Sequence, residues 1–200
     1  PHCSPYGGAA VALFESYFVE SPYISSVCIS VDNANDLEMY LPVLIDSEMK
    51  QYAVQDGHIY KKVIEKSVDT VENIDVSGKN VLISGGFGGI GLTLAKYFAK
   101  NGAKSISLIA RRSLEEVKDN KLVASSLKEI KEYGTQVFAY SCDLAEEASL
   151  DEAVKKIHAK AGKVSVVVHC AGIAGRESVE EKTEEAFAKV LAPKVLGTQN

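Results

Sequence analysis

A glycine-rich turn between a predicted strand and a predicted helix constrains this sequence more than any other feature. Residues 80–84 form a short apolar run, and five glycines follow within residues 85–91. Apolar residues then recur at helical spacing until Asn101-Gly102, which is a typical helix end. A chain that passes through glycines directly into a helix leaves the N–H groups of the first helical turn unpaired, at the positive end of the helix dipole. A diphosphate is a natural ligand for such an end.

Two overlapping glycine patterns fall in this turn. Gly86-x-Gly88-x-x-Gly91 fits the dinucleotide fingerprint, and Ser84-Gly85-x-x-x-Gly89-x-Gly91 fits its short-chain-dehydrogenase version. The position between a strand and a helix favours a cofactor site over a turn that only reverses the chain. The candidate cofactor-binding residues of this turn are Ser84, Gly85, Gly86, Phe87, Gly88, Gly89, Ile90 and Gly91.

Composition restricts the possible function classes. The chain has 200 residues and 46% hydrophobic content, enough to bury a sizeable core. Its net charge is -5 with both signs interspersed, so no nucleic-acid or membrane surface is expected. No long apolar run or signal peptide is visible, and a cytoplasmic location is expected. The four cysteines are scattered without metal-ligand spacing, so we expect free thiols and no metal site.

Residues 1–77 are predicted to form a small α/β unit that ends in a linker. Asp56-Gly57 lies between two β-rich runs and predicts a hairpin. The polar, irregular stretch 65–78 is typical of a linker and places the boundary near residue 77. The other predicted elements are helices over 8–19 and 36–45 and a strand over 26–31.

Residues 78–200 alternate strands with helices. Such alternation predicts βαβ units with a parallel sheet and right-handed crossovers, which is a Rossmann-type domain. After the glycine turn, the sequence predicts strands over 105–110, 136–141 and 164–169 and helices over 114–133, from a Ser149-x-x-Glu152 capping box to residue 161, and after Thr183.

The residues after the second and third strands bear on the choice of cofactor. An NAD-binding unit usually has an acidic residue about 20 positions past the glycines, whereas this chain has Arg111 and Arg112 there. Guanidinium groups form charge-assisted hydrogen bonds with a 2′-phosphate, which favours NADP(H) over an ordinary basic surface loop. Asp143 could accept a bond from the adenine amino group or could simply begin a helix. His169 is interpreted as a residue that satisfies a backbone contact, not as a base or a ligand.

Five motifs of this chain occur together and in order. They are Ser84 to Gly91, Ala110-Arg111-Arg112-Ser113, Cys142-Asp143-Leu144, His169-Cys170-Ala171-Gly172-Ile173 and Leu191 to Thr198. Together they resemble the ketoreductase domain of modular polyketide synthases and related fatty acid synthases, within the short-chain dehydrogenase/reductase superfamily. The hairpin at 51–60 is similar to the one that closes the truncated, non-catalytic structural subdomain of that family.

The resemblance implies NADPH-dependent reduction of a β-ketoacyl thioester to the β-hydroxyacyl form. The substrate would be carried on the phosphopantetheine arm of an acyl carrier protein, and other synthase domains would share the parent chain. Lys194 matches the family's active-site lysine, on the helix after the fourth strand, which supports proton donation by a tyrosine and holds the nicotinamide ribose. Leu144, Ala171 and Gly172 join the arginines and Asp143 as implied cofactor-binding residues.

The resemblance also implies a domain organisation. Residues 1–77 would be part of the structural subdomain, and residues 78–200 the N-terminal part of the catalytic subdomain. The expected fold class is α/β: a doubly wound parallel sheet, incomplete at its C-terminus, preceded by part of a truncated α/β subdomain. The family's serine and tyrosine would follow Lys194 beyond Asn200, so we expect a fragment that is inactive alone.

Two alternatives remain open at this stage. One is a stand-alone short-chain dehydrogenase acting on a small carbonyl compound, which the segment before the glycine turn disfavours. The other is a non-catalytic NADP-binding module that serves as a scaffold or sensor. Ala174-Gly175-Arg176 stands where one subtype of the family has Leu-Asp-Asp, and the configuration of the product hydroxyl stays unassigned.

Overall fold

The computed structural model describes residues 5–21, 23–24, 26–45, 51–66 and 75–200. Their contacts divide the chain into two compact units. The smaller unit contains the described residues up to 66 together with Glu177–Lys182, and the larger unit contains those from 75 to Arg176 and Thr183–Asn200. The predicted boundary between a structural and a catalytic subdomain stays a prediction, and residues 67–74 of the predicted linker lie outside the described ranges.

The smaller unit has a three-stranded sheet of order β1-β2-β3. The first two strands are parallel and the last two antiparallel. The hairpin predicted from Asp56-Gly57 is confirmed, because both residues have positive φ angles, 51° and 71°, as a type I′ turn requires. The elements are α1 (Pro5–Glu20), β1 (Cys28–Val31), α2 (Ala34–Leu44), β2 (Gln51–Gln55) and β3 (His58–Lys61).

A later stretch of the chain, 177–182, belongs to this smaller unit. The Val179 N–H donates to a Glu20 carboxylate oxygen at 2.7 Å. The Tyr17 hydroxyl donates to Glu180 at 3.2 Å. These contacts join sequence positions about 160 residues apart, which no local pattern could have predicted.

The larger unit is a parallel sheet of order β6-β5-β4-β7, with helices on both faces. This confirms the predicted Rossmann-type doubly wound fold. Its strands are β4 (Asn80–Ser84), β5 (Ser105–Ala110), β6 (Gln136–Ser141) and β7 (Val166–His169). Its helices are α3 (Gly89–Lys100), α4 (Leu114–Val117), α5 (Lys121–Glu132), α6 (Glu147–Ala161), α7 (Glu184–Leu191) and α8 (Leu196–Gln199).

Two apolar clusters cover opposite faces of this sheet. Ile83 of β4 and Ile106 of β5 are fully buried in the cluster that includes α3 and α5. Ile109 of β5 and Ile157 of α6 are buried in the second cluster. Because β5 packs on both faces, nearly all of it is buried, including the serines Ser105 and Ser107.

The predicted single helix over 114–133 is wrong. Two helices occupy that stretch, because each has its own N-terminal cap. Ser113 and Glu116 form a reciprocal capping box at the start of α4. The Asn120 side chain accepts from the N–H groups of Leu122 and Val123, at 3.0 and 3.3 Å, and so begins α5.

The predicted capping box at Ser149 is also wrong. Helix α6 begins at Glu147, so Ser149 lies inside its first turn. The Ser149 side chain is hydrogen-bonded to Cys142, and Glu152 pairs with Lys156 at 2.6 Å. Both members of the predicted box therefore have other partners.

Candidate functional site

The order of the larger sheet reverses at β4, which has β5 on one side and β7 on the other. In open α/β sheets, ligands bind outside the carboxyl ends of the strands at such a point. A cleft of about 620 Å³ opens there. The predicted site residues that line it are Gly85, Phe87, Gly88, Arg111, Arg112, Asp143, Leu144, Ala171 and Gly172.

Gly85 makes the turn out of β4. Its φ angle is +65°, and a Cβ on it would lie 2.7 Å from the backbone oxygen of Cys170. The Gly88 N–H donates to the Gly85 carbonyl at 2.9 Å and closes the loop. A side chain at residue 85 would therefore be both strained and in collision with the end of β7.

The N-terminus of α3 is open for an anion. The first bond of the helix is from the Leu92 N–H to the Gly88 carbonyl, at 2.9 Å. No side chain of the described residues caps this end. A Cβ on Gly89 would have no heavy atom within 4 Å, so open space lies beside the unpaired N–H groups. The residues present therefore fit a bound diphosphate.

The two arginines follow β5 and are exposed on the wall of the cleft. The Ser141 hydroxyl donates to the Arg111 carbonyl at 2.7 Å and fixes the backbone of this bend to β6. Among the ion pairs of the described ranges, none involves Arg111 or Arg112. Arg111 is therefore available to an anionic ligand, whereas Arg112 also interacts electrostatically with the Glu116 carboxylate.

Asp143 and Leu144 follow β6. The Asp143 side chain accepts a hydrogen bond from the Ala145 N–H at 3.0 Å. This local bond fits the alternative from the sequence, in which Asp143 begins a helix. The residue also lines the cleft, so this bond does not remove it from a ligand's reach. Leu144 is 8% exposed and belongs to the core beneath the cleft.

Lys194 lies in the turn between α7 and α8, not within a helix as expected. Its N–H donates to the Leu191 carbonyl at 2.9 Å. Its Cε lies 3.3 Å from where a Cβ on Gly172 would stand. The aliphatic part of the lysine side chain thus passes close to Gly172 in the loop that follows β7, but Lys194 itself is not among the residues that line the cleft.

His169, at the end of β7, makes two short contacts. Its Nε2 lies 3.0 Å from the Pro193 carbonyl oxygen, which confirms the predicted backbone contact. Its Nδ1 lies 2.7 Å from the hydroxyl oxygen of Ser84. The Ser84 side chain is therefore engaged with β7, and the residue is 6% exposed.

Other predicted loop residues support the cleft without lining it. Gly86 is buried in the turn and Gly91 is buried in the first turn of α3, whereas Ile90 is 71% exposed on the same helix. Sequence reasoning missed Lys189 and Pro193, which line the cleft from α7 and the following turn. Neither follows a strand, so the strand-end rule gave no signal for them.

Two thiols also line the cleft. Burial raises the pKa of Cys142, although its hydrogen bond with Ser149 opposes that effect. Burial also raises the pKa of Cys170. Both groups are therefore protonated near neutral pH and are poor nucleophiles.

A larger cavity of about 1210 Å³ lies within the smaller unit, between α1 and the strands β1 and β2. It contains none of the predicted site residues. Within the described ranges, no group of three or more His, Cys, Asp or Glu residues is arranged to hold a metal ion. No helix in that part of the chain is long and apolar enough to cross a membrane.

Comparison with known proteins identifies a family and several relatives for this chain. A family model described as the KR domain matches residues 80–200. Polyketide synthase PksM of Bacillus subtilis (strain 168) is 30% identical over 140 residues, which are 70% of this chain and 3% of that protein. Erythronolide synthase EryA3 of Saccharopolyspora erythraea is 35% identical over 121 residues, 60% of this chain and 4% of that protein. The chain therefore spans only a small part of these relatives.

A solved structure shares the fold of almost the whole chain. It is the ketoreductase from the first module of phoslactomycin biosynthesis in Streptomyces sp. HK803, with a TM-score of 0.80 and 23% identity. The match covers 96% of this chain and 45% of that one. At this identity the likeness concerns the fold alone.

Proposed function

This chain belongs to the KR domain family, and we propose that it binds NADPH and takes part in the reduction of a β-ketoacyl thioester. The substrate is proposed to be carried on the phosphopantetheine arm of an acyl carrier protein and reduced to the β-hydroxyacyl form. Residues 1–77 are proposed to be part of a structural subdomain, and residues 78–200 the N-terminal part of a catalytic subdomain. Further synthase domains are proposed for the parent chain, since the relatives named above are much longer.

One observation carries the proposal. A single cleft collects the glycine turn after β4, the arginines after β5, Asp143 after β6 and the Ala171-Gly172 loop after β7. The ends of four strands thus supply an anion site at a helix N-terminus, a cationic wall and a backbone with small residues. These features suit the diphosphate, the 2′-phosphate and the nicotinamide ribose of NADPH, respectively.

Each group has a separate task in this proposal. The free N–H groups at the start of α3 hold the diphosphate, and Arg111 and Arg112 hold the 2′-phosphate. Asp143 accepts a hydrogen bond from the adenine amino group. Bound NADPH supplies the hydride. Lys194 holds the nicotinamide ribose and, as a nearby ammonium, favours the ionised form of the group that gives its proton to the ketone.

We propose that the proton donor is a residue other than those that line the cleft in the described ranges. No serine or tyrosine is among the residues that line it in the described part of the chain. The family resemblance implies a serine and a tyrosine after Lys194. Reading the coding sequence beyond Asn200 for these two residues separates a reductase from a non-catalytic NADP-binding module.

The experiment that tests the cofactor assignment is the double substitution Arg111→Ala with Arg112→Ala, studied in the intact protein. Hydrogen bonds to charged groups contribute about 1.5–3 kcal/mol each, so NADPH affinity should fall tenfold or more. NADH affinity should change little, because NADH has no 2′-phosphate. Isothermal titration calorimetry with both nucleotides gives the two dissociation constants.

A matched control removes a positive charge elsewhere on the same unit. Lys104 is exposed directly before β5 and does not line the cleft. Lys104→Ala should leave the ratio of the NADPH and NADH dissociation constants unchanged. Equal losses for both nucleotides in the double-arginine variant would refute the 2′-phosphate role.

A further inference from the structure

Three hydrogen bonds connect the glycine-turn strand to the turn that contains Lys194. The Cys170 N–H donates to the Ser84 hydroxyl oxygen at 3.2 Å. The same hydroxyl lies 2.7 Å from His169 Nδ1, and His169 Nε2 lies 3.0 Å from the Pro193 carbonyl oxygen. The ring of His169 therefore bridges the end of β4 and the residue directly before Lys194.

The chemistry of the partners assigns the protons along this chain of bonds. A carbonyl oxygen can only accept, so Nε2 of His169 must carry the proton that it donates to Pro193. In the neutral ring Nδ1 then accepts, and the Ser84 hydroxyl donates to it. The hydroxyl keeps a lone pair for the Cys170 N–H. The neutral Nε2–H tautomer satisfies all three bonds at once.

The hydrogen bond between His169 and the Pro193 carbonyl restrains the whole peptide group that joins Pro193 to Lys194. The Pro193 C=O and the Lys194 N–H belong to one planar peptide group. The carbonyl end is held by His169, and the N–H end donates to Leu191 at 2.9 Å. With both ends hydrogen-bonded, rotation of this peptide plane is restrained, and so is the backbone from which the Lys194 side chain extends.

Two further contacts fix the lysine on its other side. The Lys194 carbonyl accepts from the Thr198 hydroxyl at 2.5 Å. The Lys194 Cε passes close to Gly172, at 3.3 Å from the position of a Cβ there. The lysine backbone is thus held before and after its Cα, and its side chain rests on the loop after β7.

We propose that His169 is a positioning residue, which couples the Ser84 end of the cofactor cleft to Lys194 through the Pro193 carbonyl. The inference rests on the proposed role of Lys194 in the cleft for its consequence in reduction. The tautomer of His169 and the restrained peptide plane do not depend on that role of Lys194. The two can therefore fail separately.

Two substitutions separate the two bonds of the ring. The amide nitrogen of a glutamine reaches the position of Nε2, so His169→Gln can keep the donor to Pro193 while losing the acceptor for Ser84. The amide oxygen of an asparagine lies at the position of Nδ1, so His169→Asn can keep the acceptor and lose the donor. His158→Asn, on the exposed last turn of α6, is the matched control.

Two readouts need neither cofactor nor turnover. Nitrogen NMR of the histidine-labelled protein should show His169 protonated at Nε2 and not at Nδ1. Amide hydrogen exchange of Lys194 and Val195 should be faster by about fivefold in His169→Asn, since one hydrogen bond is worth about 1 kcal/mol. His169→Gln and His158→Asn should exchange at these positions as the unsubstituted protein does.

The third readout is kinetic. In the intact protein His169→Asn should lower kcat about tenfold, by misplacing the lysine, whereas His169→Gln should recover most of it. A proton at Nδ1, or equal exchange in His169→Asn and His169→Gln, would overturn the inference. If no variant, including the unsubstituted protein, binds NADPH, the proposed function fails, while the tautomer and the exchange contrast still decide the role of His169.

Discussion

Gly172 lines the cleft and lies beside the side chain of Lys194: a Cβ on Gly172 would lie 3.3 Å from Lys194 Cε. Such a distance is tighter than an ordinary van der Waals contact, so a methyl group there would push the lysine side chain aside. The lysine stem is flexible and the backbone of Gly172 has no positive φ angle. The absence of a side chain at Gly172 therefore affects the position of the Lys194 ammonium group, and folding does not require it.

The first prediction concerns Gly172→Ala. We expect the free energy of unfolding to change by less than about 1 kcal/mol. Alanine lowers the conformational entropy of the unfolded chain, and this stabilising effect offsets the cost of displacing the lysine side chain slightly. In the intact protein kcat for a β-ketoacyl thioester should fall about tenfold, since small misplacements of a catalytic group are costly. Urea unfolding and steady-state kinetics measure the two quantities.

Gly8→Ala is a suitable control for that substitution. Gly8 lies in α1, and a Cβ on it would have nothing within 4 Å. The added methyl group should leave kcat unchanged. Normal turnover in Gly172→Ala would show that the lysine moves without consequence and would remove Lys194 from the proposed mechanism.

The sequence predicted most of the fold because its local signals agree with the packing. The apolar run 80–84, the glycines and the helix that follows are strand β4, the loop and α3. Asp56-Gly57 predicted the hairpin because this pair tolerates the positive φ angles of a type I′ turn, and both residues have positive φ angles. In each case the residue type demands a local conformation that the sheet also requires.

The failures have equally local causes. The Asn120 cap was not recognised inside a charged, helix-favouring stretch, so two helices were predicted as one. Ser149-x-x-Glu152 has the residue types of a capping box, but a tertiary partner, Cys142, engages the serine. Sequence patterns list possible bonds, and only the fold decides which of them form.

The candidate site was predictable only where it follows strands. The arginines after β5 and Asp143 after β6 lie at the cleft because carboxyl ends of parallel strands meet at one edge. Lys189 comes to the same cleft from a helix, and Ser84 meets His169 across 85 positions of sequence. Such contacts depend on tertiary structure, and the roles assigned to these residues stay predictions.

The second prediction contrasts two glycines of the same loop. Gly85→Ala should destabilise the larger unit by about 1–3 kcal/mol, because the residue has a φ angle of +65° and its Cβ would lie 2.7 Å from the Cys170 carbonyl oxygen. Gly89→Ala should leave stability unchanged or slightly improved, since it begins α3 in open space. Urea unfolding followed by circular dichroism gives both values.

The substitutions at Gly85 and Gly89 also distinguish an effect on stability from an effect on NADPH affinity. A methyl group on Gly89 would stand beside the free N–H groups of α3, where the diphosphate is proposed to bind. NADPH affinity should therefore fall about tenfold or more in Gly89→Ala, although the protein remains folded. Unchanged affinity would mean that the diphosphate does not sit at this helix N-terminus.

The third prediction is the effect of pH on stability through Cys142. This thiol is 2% exposed, and burial raises its pKa above the ordinary value. The folded protein then binds the proton more tightly than the unfolded chain does, so the thiol contributes full stability below the unfolded pKa, about 8.5. That contribution is lost as the pH rises through the folded pKa.

Urea unfolding between about pH 7.5 and 9.5 in the presence of a reductant measures this loss, since the range spans the ordinary thiol pKa. Cys142→Ala should be less stable at neutral pH, because it leaves a small cavity, but its stability should decline less steeply with pH. Ser149→Ala should show the opposite change: removing the hydrogen bond that lowers the pKa of Cys142 raises the folded pKa further, so the decline begins at the same pH and extends to a higher one. Parallel pH profiles for the unsubstituted protein and Cys142→Ala would show that another group, not this thiol, governs the alkaline loss of stability.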